Sequence, residues 1–119
     1  MKRIIIGITG ATGTIYGWRL MELLRSEGQT EIHLVMSPSA KLTLKMEHDV
    51  ELERISSLAH EVHAPGNIGA AISSGSFFSE GMIIAPCSIK TMSNIAMGNT
   101  GDLITRAADV ILKERRKLV

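Results

Sequence analysis

The chain opens with a run of β-branched residues that stops at a loop of glycine and threonine. Residues Arg3 to Ile8 read RIIIGI, and the loop Thr9 to Gly13 (TGATG) follows at once. The run predicts a buried strand, and the loop predicts a tight turn into a helix. Glycines let the backbone approach a ligand, while threonine hydroxyls and the free N–H groups of the next helix can bind an anion. This opening predicts either a phosphate-binding loop or a plain strand-to-helix turn.

The loop matches neither of the common nucleotide-binding signatures. Gly7, Gly10 and Gly13 lie three residues apart, so the pattern G-x-G-x-x-G is not met, and no Gly-Lys-Ser/Thr follows. The loop alone therefore leaves open which phosphate-bearing molecule it would hold.

Length and composition indicate a single globular domain over residues 1–119, with 45% hydrophobic and 21% charged side chains. A net charge of +1 and an aromatic content of 3% argue against a nucleic-acid surface. The single cysteine, Cys87, excludes an intrachain disulfide and favours a reducing compartment. Since no signal peptide and no membrane-spanning run is recognisable, we expect a cytoplasmic protein that does not contact membranes.

Hydrophobic periodicity predicts strands alternating with helices. Strands are predicted over residues 3–8, 31–36 and 81–85, with a fourth starting at 117–119, and helices over 15–25, 39–46, 47–59, 89–97 and 103–115. Residues 60–69 read as irregular. This order predicts an α/β fold, a three-layer Rossmann-like or flavodoxin-like parallel sheet with helices on both faces. Because three strands and a stub leave one face partly bare, we expect a C-terminally truncated chain or a partner subunit at the edge.

Three loops follow the carboxyl ends of predicted strands: residues 9–14, 37–39 and 86–91. In an open parallel sheet these ends share one edge, where ligands bind. Their hydroxyls suit a phosphate and the hydroxyls of a sugar or ribityl chain. Ser37 and Ser88 are equally well explained as helix N-caps, a position that serine favours.

Cys87 and two cationic residues are further candidate functional residues. The Cys87 thiolate could be stabilised by the helix that follows it, although a small buried cysteine is the commoner case. Arg106 and Lys113 are seven residues apart and share a helix face, which could bind a second phosphate. The alternative is a surface ladder of ion pairs through Asp109.

Glu47 is a candidate acid or base in the acidic segment Glu47–Asp49.

The four histidines, at positions 33, 48, 60 and 63, show none of the common metal-ligand spacings. We therefore expect no metal site and mostly solvated histidines.

The order of the segments GITGATGTIYGWRL, LVMSPSA, GMIIAPCSIKTMSNIAMG and LITRAADVILKERRKLV resembles that of the UbiX-like flavin prenyltransferases, also described as small subunits of aromatic acid decarboxylases. The resemblance implies a flavodoxin-like subunit that binds FMN and transfers a dimethylallyl group from dimethylallyl phosphate to reduced FMN. It also implies a homo-oligomer, no metal, and a UbiD-type decarboxylase as recipient of the product.

The resemblance also assigns roles to individual residues. Glu47 and Lys113 are implied as catalytic residues, Lys113 through the substrate phosphate. The residues implied to bind FMN are Gly10, Ala11, Thr12, Ser37, Ser88, Ile89, Thr91 and Arg106. The resemblance implies that the segment Ser73–Ser76 closes over the site, either within one chain or across a subunit interface.

Two alternatives to prenyl transfer by this chain follow from the same resemblance. Members of that family continue beyond Val119 with an Arg–Glu pair, a tyrosine and an arginine that handle the substrate phosphate, so the chain could be a truncated FMN-binding or assembly subunit. An FMN-dependent cysteine decarboxylase is the other alternative. It is disfavoured because the first helix carries Tyr16-Gly17-Trp18 and no histidine.

Overall fold

The computed structural model describes residues 1–119, whose centre is a parallel five-stranded sheet. The strands are β1 (Lys2–Ile8), β2 (Thr30–Met36), β3 (Glu61–His63), β4 (Gly81–Ile84) and β5 (Lys117–Leu118), in the spatial order β3-β2-β1-β4-β5. The helices are α1 (Thr14–Glu27), α2 (Pro38–His48), α3 (Leu52–Ser56), α4 (Ile89–Met97) and α5 (Leu103–Lys113). A single 3-10 turn covers Ala71–Ser73. The predicted α/β class and parallel sheet are confirmed.

Two predictions about the middle of the chain are wrong. Residues 60–69 contain β3, so the sheet has five strands instead of three and a stub. Three residues are too few to show a period, and β3 is held by its backbone register with β2. The helix predicted over 47–59 is split: α2 ends at His48, Asp49 adopts a left-handed conformation with φ 47°, and α3 has only five residues.

The structure confirms Ser37 and Ser88 as helix N-caps, and further local contacts mark other helix ends. Gly28 ends α1 with φ 77°, and its N–H donates to the carbonyl of Leu24. The hydroxyls of Ser37 and Ser88 accept the N–H groups of Ala40 and Thr91, at 3.1 Å each, and so cap α2 and α4. Asp102 forms a capping box at the start of α5. Such contacts span three or four residues, which is why the sequence shows them.

Alternate residues of the strands face two separate cores, as the period of a strand requires. One face is covered by α1, α2 and α3, and its core includes Ile6, Ile8 and Leu34. Trp18, the only tryptophan, packs against this core, with the Arg54 guanidinium 5.3 Å from the centre of its ring.

The other face carries Ile5, Val35 and Met82 beneath α5, which buries seven of its eleven residues. Helices on both faces of the sheet agree with the predicted three layers. No helix of the structure is long and apolar enough to cross a membrane.

Candidate functional site

The three loops predicted to share one edge of the sheet are joined by hydrogen bonds. The buried Thr9 hydroxyl donates to the carbonyl of Pro86 at 2.8 Å and accepts the N–H of Ser88 at 2.7 Å. The N–H of Ser37 donates to the carbonyl of Ile8, which ties the second loop to the first. The loops after β1, β2 and β4 therefore form one continuous surface, which we call the loop rim (residues 9–14, 37–39 and 86–91).

Gly10 brings the first and second loops into contact. A Cβ atom added at Gly10 would lie 2.5 Å from Cβ and 2.7 Å from Oγ of Ser39. Any larger residue would push the first loop away from the second. The glycine is therefore required by the close approach of the first loop to Ser39 in the first turn of α2.

Helix N-termini at the rim differ in how they are capped. Ser37 and Ser88 cap α2 and α4 with their own side chains. Helix α1 follows Gly13, which has φ 103°, and no side chain accepts its first N–H groups. Those groups point along a helix dipole whose positive end favours an anion. Of the three helices that begin at the rim, α1 therefore offers the open anion site.

Glu47 lies beside this open terminus. The buried Thr14 hydroxyl, at the start of α1, donates to Oε1 of Glu47 at 3.3 Å. The contact brings the last turn of α2 to the first turn of α1, although 33 residues separate the two side chains. Glu47 is itself exposed, so its carboxylate is accessible to a ligand at the rim.

Arg106 and Lys113 lie toward opposite ends of α5. The N–H of Leu103, the first residue of α5, donates to the carbonyl of Pro65, just beyond the carboxyl end of β3. The helix then runs to the opposite edge, where Lys117 pairs with Gly81 at the start of β4. Seven residues correspond to about 10 Å along a helix. Arg106 is therefore on the rim side of the sheet and Lys113 is not.

Both cations are free of partners within the chain. Arg106, Asp109 and Lys113 are exposed, and none forms an ion pair or a side-chain hydrogen bond. The alternative of an ion-pair ladder through Asp109 is therefore wrong.

The segment Ser73–Ser76 lies next to Lys113 and not over the rim of its own chain. A Cβ atom added at Gly75 would meet the carboxylate of Glu114 and lie 3.5 Å from the Lys113 amine. Arg116 donates to the carbonyls of Phe77 and Gly75, at 2.8 and 3.1 Å, and so fastens the segment to the end of α5. Within one chain, this segment does not close over the loop rim.

Cys87 lies on the rim but is poorly suited to act as a nucleophile. Partial burial raises the pKa of its thiol above the usual value, so the protonated form prevails at neutral pH. No histidine contacts it, and its Sγ lies 3.6 Å from the carbonyl of Ser88. The hypothesis of a stabilised thiolate is not supported.

A second polar cluster lies on the face covered by α5, at the edge strand β3. His33 and His63 are buried, and Nδ1 of His33 lies 3.0 Å from Nε2 of His63. Glu31 and Glu61 flank the pair at 2.8 and 3.7 Å from the His33 ring nitrogens. The prediction of solvated histidines is therefore wrong for His33 and His63.

Thr9 is the rim residue whose function sequence reasoning missed. The sequence places Thr9 in the first loop but indicates no separate role for it, because its partners Pro86 and Ser88 lie 77 and 79 residues away. The only signal is a hydroxyl residue directly after an apolar strand. That pattern is too common to be specific.

Comparison with known proteins gives one family over the whole chain. The model of the family described as "Flavoprotein" matches residues 1–119. The flavin prenyltransferase UbiX of Escherichia coli K12 is 55% identical over 119 residues, which are 100% of this chain and 63% of that protein. The chain thus spans somewhat less than two thirds of the length of this curated relative.

Two solved structures share the fold closely. AnUbiX (PadA1), in complex with FMN and dimethylallyl pyrophosphate, superposes with a TM-score of 0.95 at 46% identity, over 98% of this chain and 62% of that one. A dodecameric FMN-dependent UbiX-like decarboxylase from Escherichia coli O157:H7 gives the same TM-score and identity, over 98% and 63%.

Proposed function

Because this chain belongs to the flavoprotein family, whose model covers residues 1–119, we propose that it binds FMN at the loop rim and serves as a flavin prenyltransferase. The reaction would move a dimethylallyl group from dimethylallyl phosphate to N5 and then C6 of reduced FMN. The C–O bond of the phosphate ester would break and inorganic phosphate would leave, and the proton lost from C6 would balance the one added to the prenyl double bond. The product would pass to a UbiD-type aromatic acid decarboxylase. The observation that carries the proposal is the 55% identity to a flavin prenyltransferase along the entire chain.

The rim fits the polar half of FMN. The uncapped first turn of α1 offers backbone N–H groups to a phosphate, with Gly10, Ala11 and Thr12 forming the loop before it. Ser37 and Ser88 already accept one backbone N–H each, and each hydroxyl oxygen keeps a second lone pair for a ligand. The Ser88 proton is donated to Oγ1 of Thr91. Ile89, which is 78% exposed at the start of α4, offers apolar surface to the flavin ring.

Arg106 and Glu47 supply opposite charges to the proposed site. The unpaired guanidinium of Arg106 would balance the charge of a phosphate or of the reduced flavin. Glu47 would hold or release a proton near the open end of α1. The hydrogen bond from the Thr14 hydroxyl orients its carboxylate there. Thr91, buried behind Ser88 and hydrogen-bonded to it at 3.0 Å, would position that hydroxyl.

Lys113 is proposed to act in the site of a neighbouring copy. It lies at the end of α5 away from the rim, together with the segment Ser73–Ser76. A phosphate held by this amine and by the rim therefore requires two copies of the chain. Exposed apolar side chains of α4 support self-association, since Ile89, Met92 and Met97 are 78%, 57% and 76% exposed.

The first experiment measures FMN binding by the purified chain, by calorimetric titration and by flavin absorbance co-eluting in gel filtration. Arg106→Gln is expected to weaken FMN binding at least tenfold, because a charge-assisted contact is lost, a difference of about 1.4 kcal/mol. Arg19→Gln is the matched control, since Arg19 pairs with Glu22 on α1 and does not belong to the rim. Equal FMN affinity in the two variants would remove Arg106 from the site.

Turnover is tested separately, with reduced FMN and dimethylallyl phosphate under anaerobic conditions and mass spectrometry of the flavin. Prenylated FMN supports the transferase, whereas tight FMN binding without product supports the alternative of an FMN-binding or assembly subunit.

Mixed assemblies test whether Lys113 acts across an interface. Lys113→Ala copies keep an intact rim, and Gly10→Ala copies keep Lys113, so an assembly of both would regain activity if the two residues come from different copies.

A cytoplasmic location, proposed from the single cysteine, is checked by fractionation of cells.

A further inference from the structure

The polar cluster between β2 and β3 is not used by the proposed flavin site. We propose that His33, Glu61 and His63 bind a divalent transition-metal ion, and that Zn²⁺ is the ion this set suits best. The inference is independent of FMN, since no residue of the loop rim takes part.

The register of the two strands places the three side chains on one face. His33 of β2 is paired with Glu61 of β3, and Val35 is paired with His63. Residues two apart on a strand point to the same side, so Glu61 and His63 both flank the His33 ring. Two adjacent parallel strands thus present two imidazoles and a carboxylate from a rigid backbone, a ligand set that zinc accepts.

The distances between donor atoms agree with a tetrahedral ion. Metal–nitrogen bonds of about 2.0 Å separate neighbouring ligand atoms by about 3.3 Å. Nδ1 of His33 lies 3.0 Å from Nε2 of His63 and 3.7 Å from Oε2 of Glu61. All three ligand atoms lie within 4.8 Å of one another. A small rotation of the Glu61 side chain, which is 59% exposed, brings its oxygen to the third position.

Glu31 orients the central ligand as an outer carboxylate does in zinc sites. Its Oε1 accepts Nε2–H of His33 at 2.8 Å, which directs the lone pair of Nδ1 toward His63. Nε of Arg3 lies 3.6 Å from the same carboxylate oxygen.

The charge of the cluster favours a cation, since the two carboxylates, Glu31 and Glu61, outweigh the single guanidinium of Arg3. In the absence of metal, the close His33–His63 contact is an ordinary hydrogen bond. Metal binding replaces it with two coordination bonds, and the proton of His63 moves from Nε2 to Nδ1 so that the Nε2 lone pair faces the ion. The exposed Glu61 provides the path of entry.

The test uses the full chain, without a polyhistidine tag, and adds Zn²⁺ or Co²⁺. We expect one equivalent of Zn²⁺ to bind with micromolar or tighter affinity. Co²⁺ should give visible absorption bands of tetrahedral or five-coordinate intensity. Because the ion joins β3 to β2, a free Zn²⁺ concentration about a hundredfold above the dissociation constant should raise the melting temperature of the chain by about 10 °C.

Variants separate this site from adventitious binding. Glu61→Gln and His63→Gln should each weaken zinc affinity at least tenfold, and Glu31→Gln should do so by about 10- to 100-fold. Glu61 is exposed, so its variant retains the fold even if a histidine variant does not. His48→Gln, at a histidine outside the cluster, is the matched control and should bind normally. Millimolar binding, or equal affinity in Glu61→Gln and His48→Gln, would leave only a hydrogen-bonded histidine pair.

Discussion

At the scale of single residues, one buried hydroxyl connects loops that are distant in sequence. Thr9 is both donor and acceptor, so it satisfies the Pro86 carbonyl and the Ser88 N–H together. A buried polar group left without a partner costs about 1–3 kcal/mol. Thr9 is thus a positioning residue for the third loop of the rim.

Thr9→Val keeps the shape of the side chain and removes both hydrogen bonds. We expect the free energy of unfolding to fall by about 2 kcal/mol and FMN binding to weaken, because the loop that carries Ser88 loses its anchor. Chemical denaturation and FMN titration check the two effects. The control Thr12→Val removes an exposed hydroxyl that makes no hydrogen bond within the chain, and should leave stability unchanged. Equal stability of the two variants would contradict the role given to Thr9.

The pH dependence of Cys87 alkylation tests the thiol at the rim. Its pKa is raised by burial, so the reactive thiolate appears only at higher pH than in a free cysteine. At pH 7.5 we expect iodoacetamide to modify Cys87 more slowly than a cysteine in an unstructured peptide. The midpoint of the rate profile should lie above that of the peptide. A lower midpoint would restore the hypothesis of a stabilised nucleophile.

Sequence separation explains which residues of the site could be predicted. Ser37 and Ser88 can be predicted because each caps a helix by accepting an N–H three residues away. The Thr9 contacts and the His33–His63 pair join segments at least 30 residues apart, which no local pattern reveals. The three loops could be placed together only because parallel strands align their carboxyl ends.

At the scale of elements, the approach of α1 to the sheet depends on Gly17. A Cβ atom added there would collide with the carbonyl oxygen of Ala85 and lie 2.9 Å from atoms of Ile8. The helix therefore packs against the Ala85 backbone and the Ile8 side chain at this point. The first turn of α1, with its open N–H groups, is held at the rim by the same contact.

Gly17→Ala should destabilise the chain, although alanine favours helices over glycine. We expect a loss of about 3 kcal/mol, because neither a backbone carbonyl nor a buried isoleucine can move away cheaply. Gly28→Ala is the comparison: it meets open space but has φ 77°, so its cost should be about 1 kcal/mol. Thermal unfolding of both variants measures the difference. A stabilised Gly17→Ala would show that α1 can move away from the sheet.

The sequence predicts the boundaries of an element well where a capping residue marks them, and poorly where there is no capping residue. Strand β3 has one apolar residue, Val62, which is 52% exposed, so nothing in its composition distinguishes it from a loop. The break between α2 and α3 depends on the left-handed backbone of Asp49. Aspartate visits that conformation too seldom to be read from sequence.

At the scale of the whole molecule, the central strand unites the two cores. β1 pairs with β2 along seven residues and with β4 along four, and its alternate side chains enter both cores. Loss of either layer therefore exposes the same strand. We propose that residues 1–119 are a single cooperative domain.

Differential scanning calorimetry tests that proposal. The calorimetric enthalpy should equal the van 't Hoff enthalpy, as it does for two-state domains of this size. For 119 residues, unfolding near 60 °C should absorb about 80 kcal/mol. Two separate transitions, or a calorimetric enthalpy well above the van 't Hoff value, would show that the two layers unfold independently.

The position of Trp18 gives the molecule its own optical reporter. As the sole indole, it packs where α1, α2 and α3 meet, with its ring centre 6.1 Å from that of His48 in the last turn of α2. Glu47, at the proposed flavin site, directly precedes His48 in the sequence. Indole emission overlaps the near-ultraviolet absorption of oxidised flavins, so a bound flavin should quench it by energy transfer. Occupancy of the rim could then be followed in real time from ultraviolet emission, without a label.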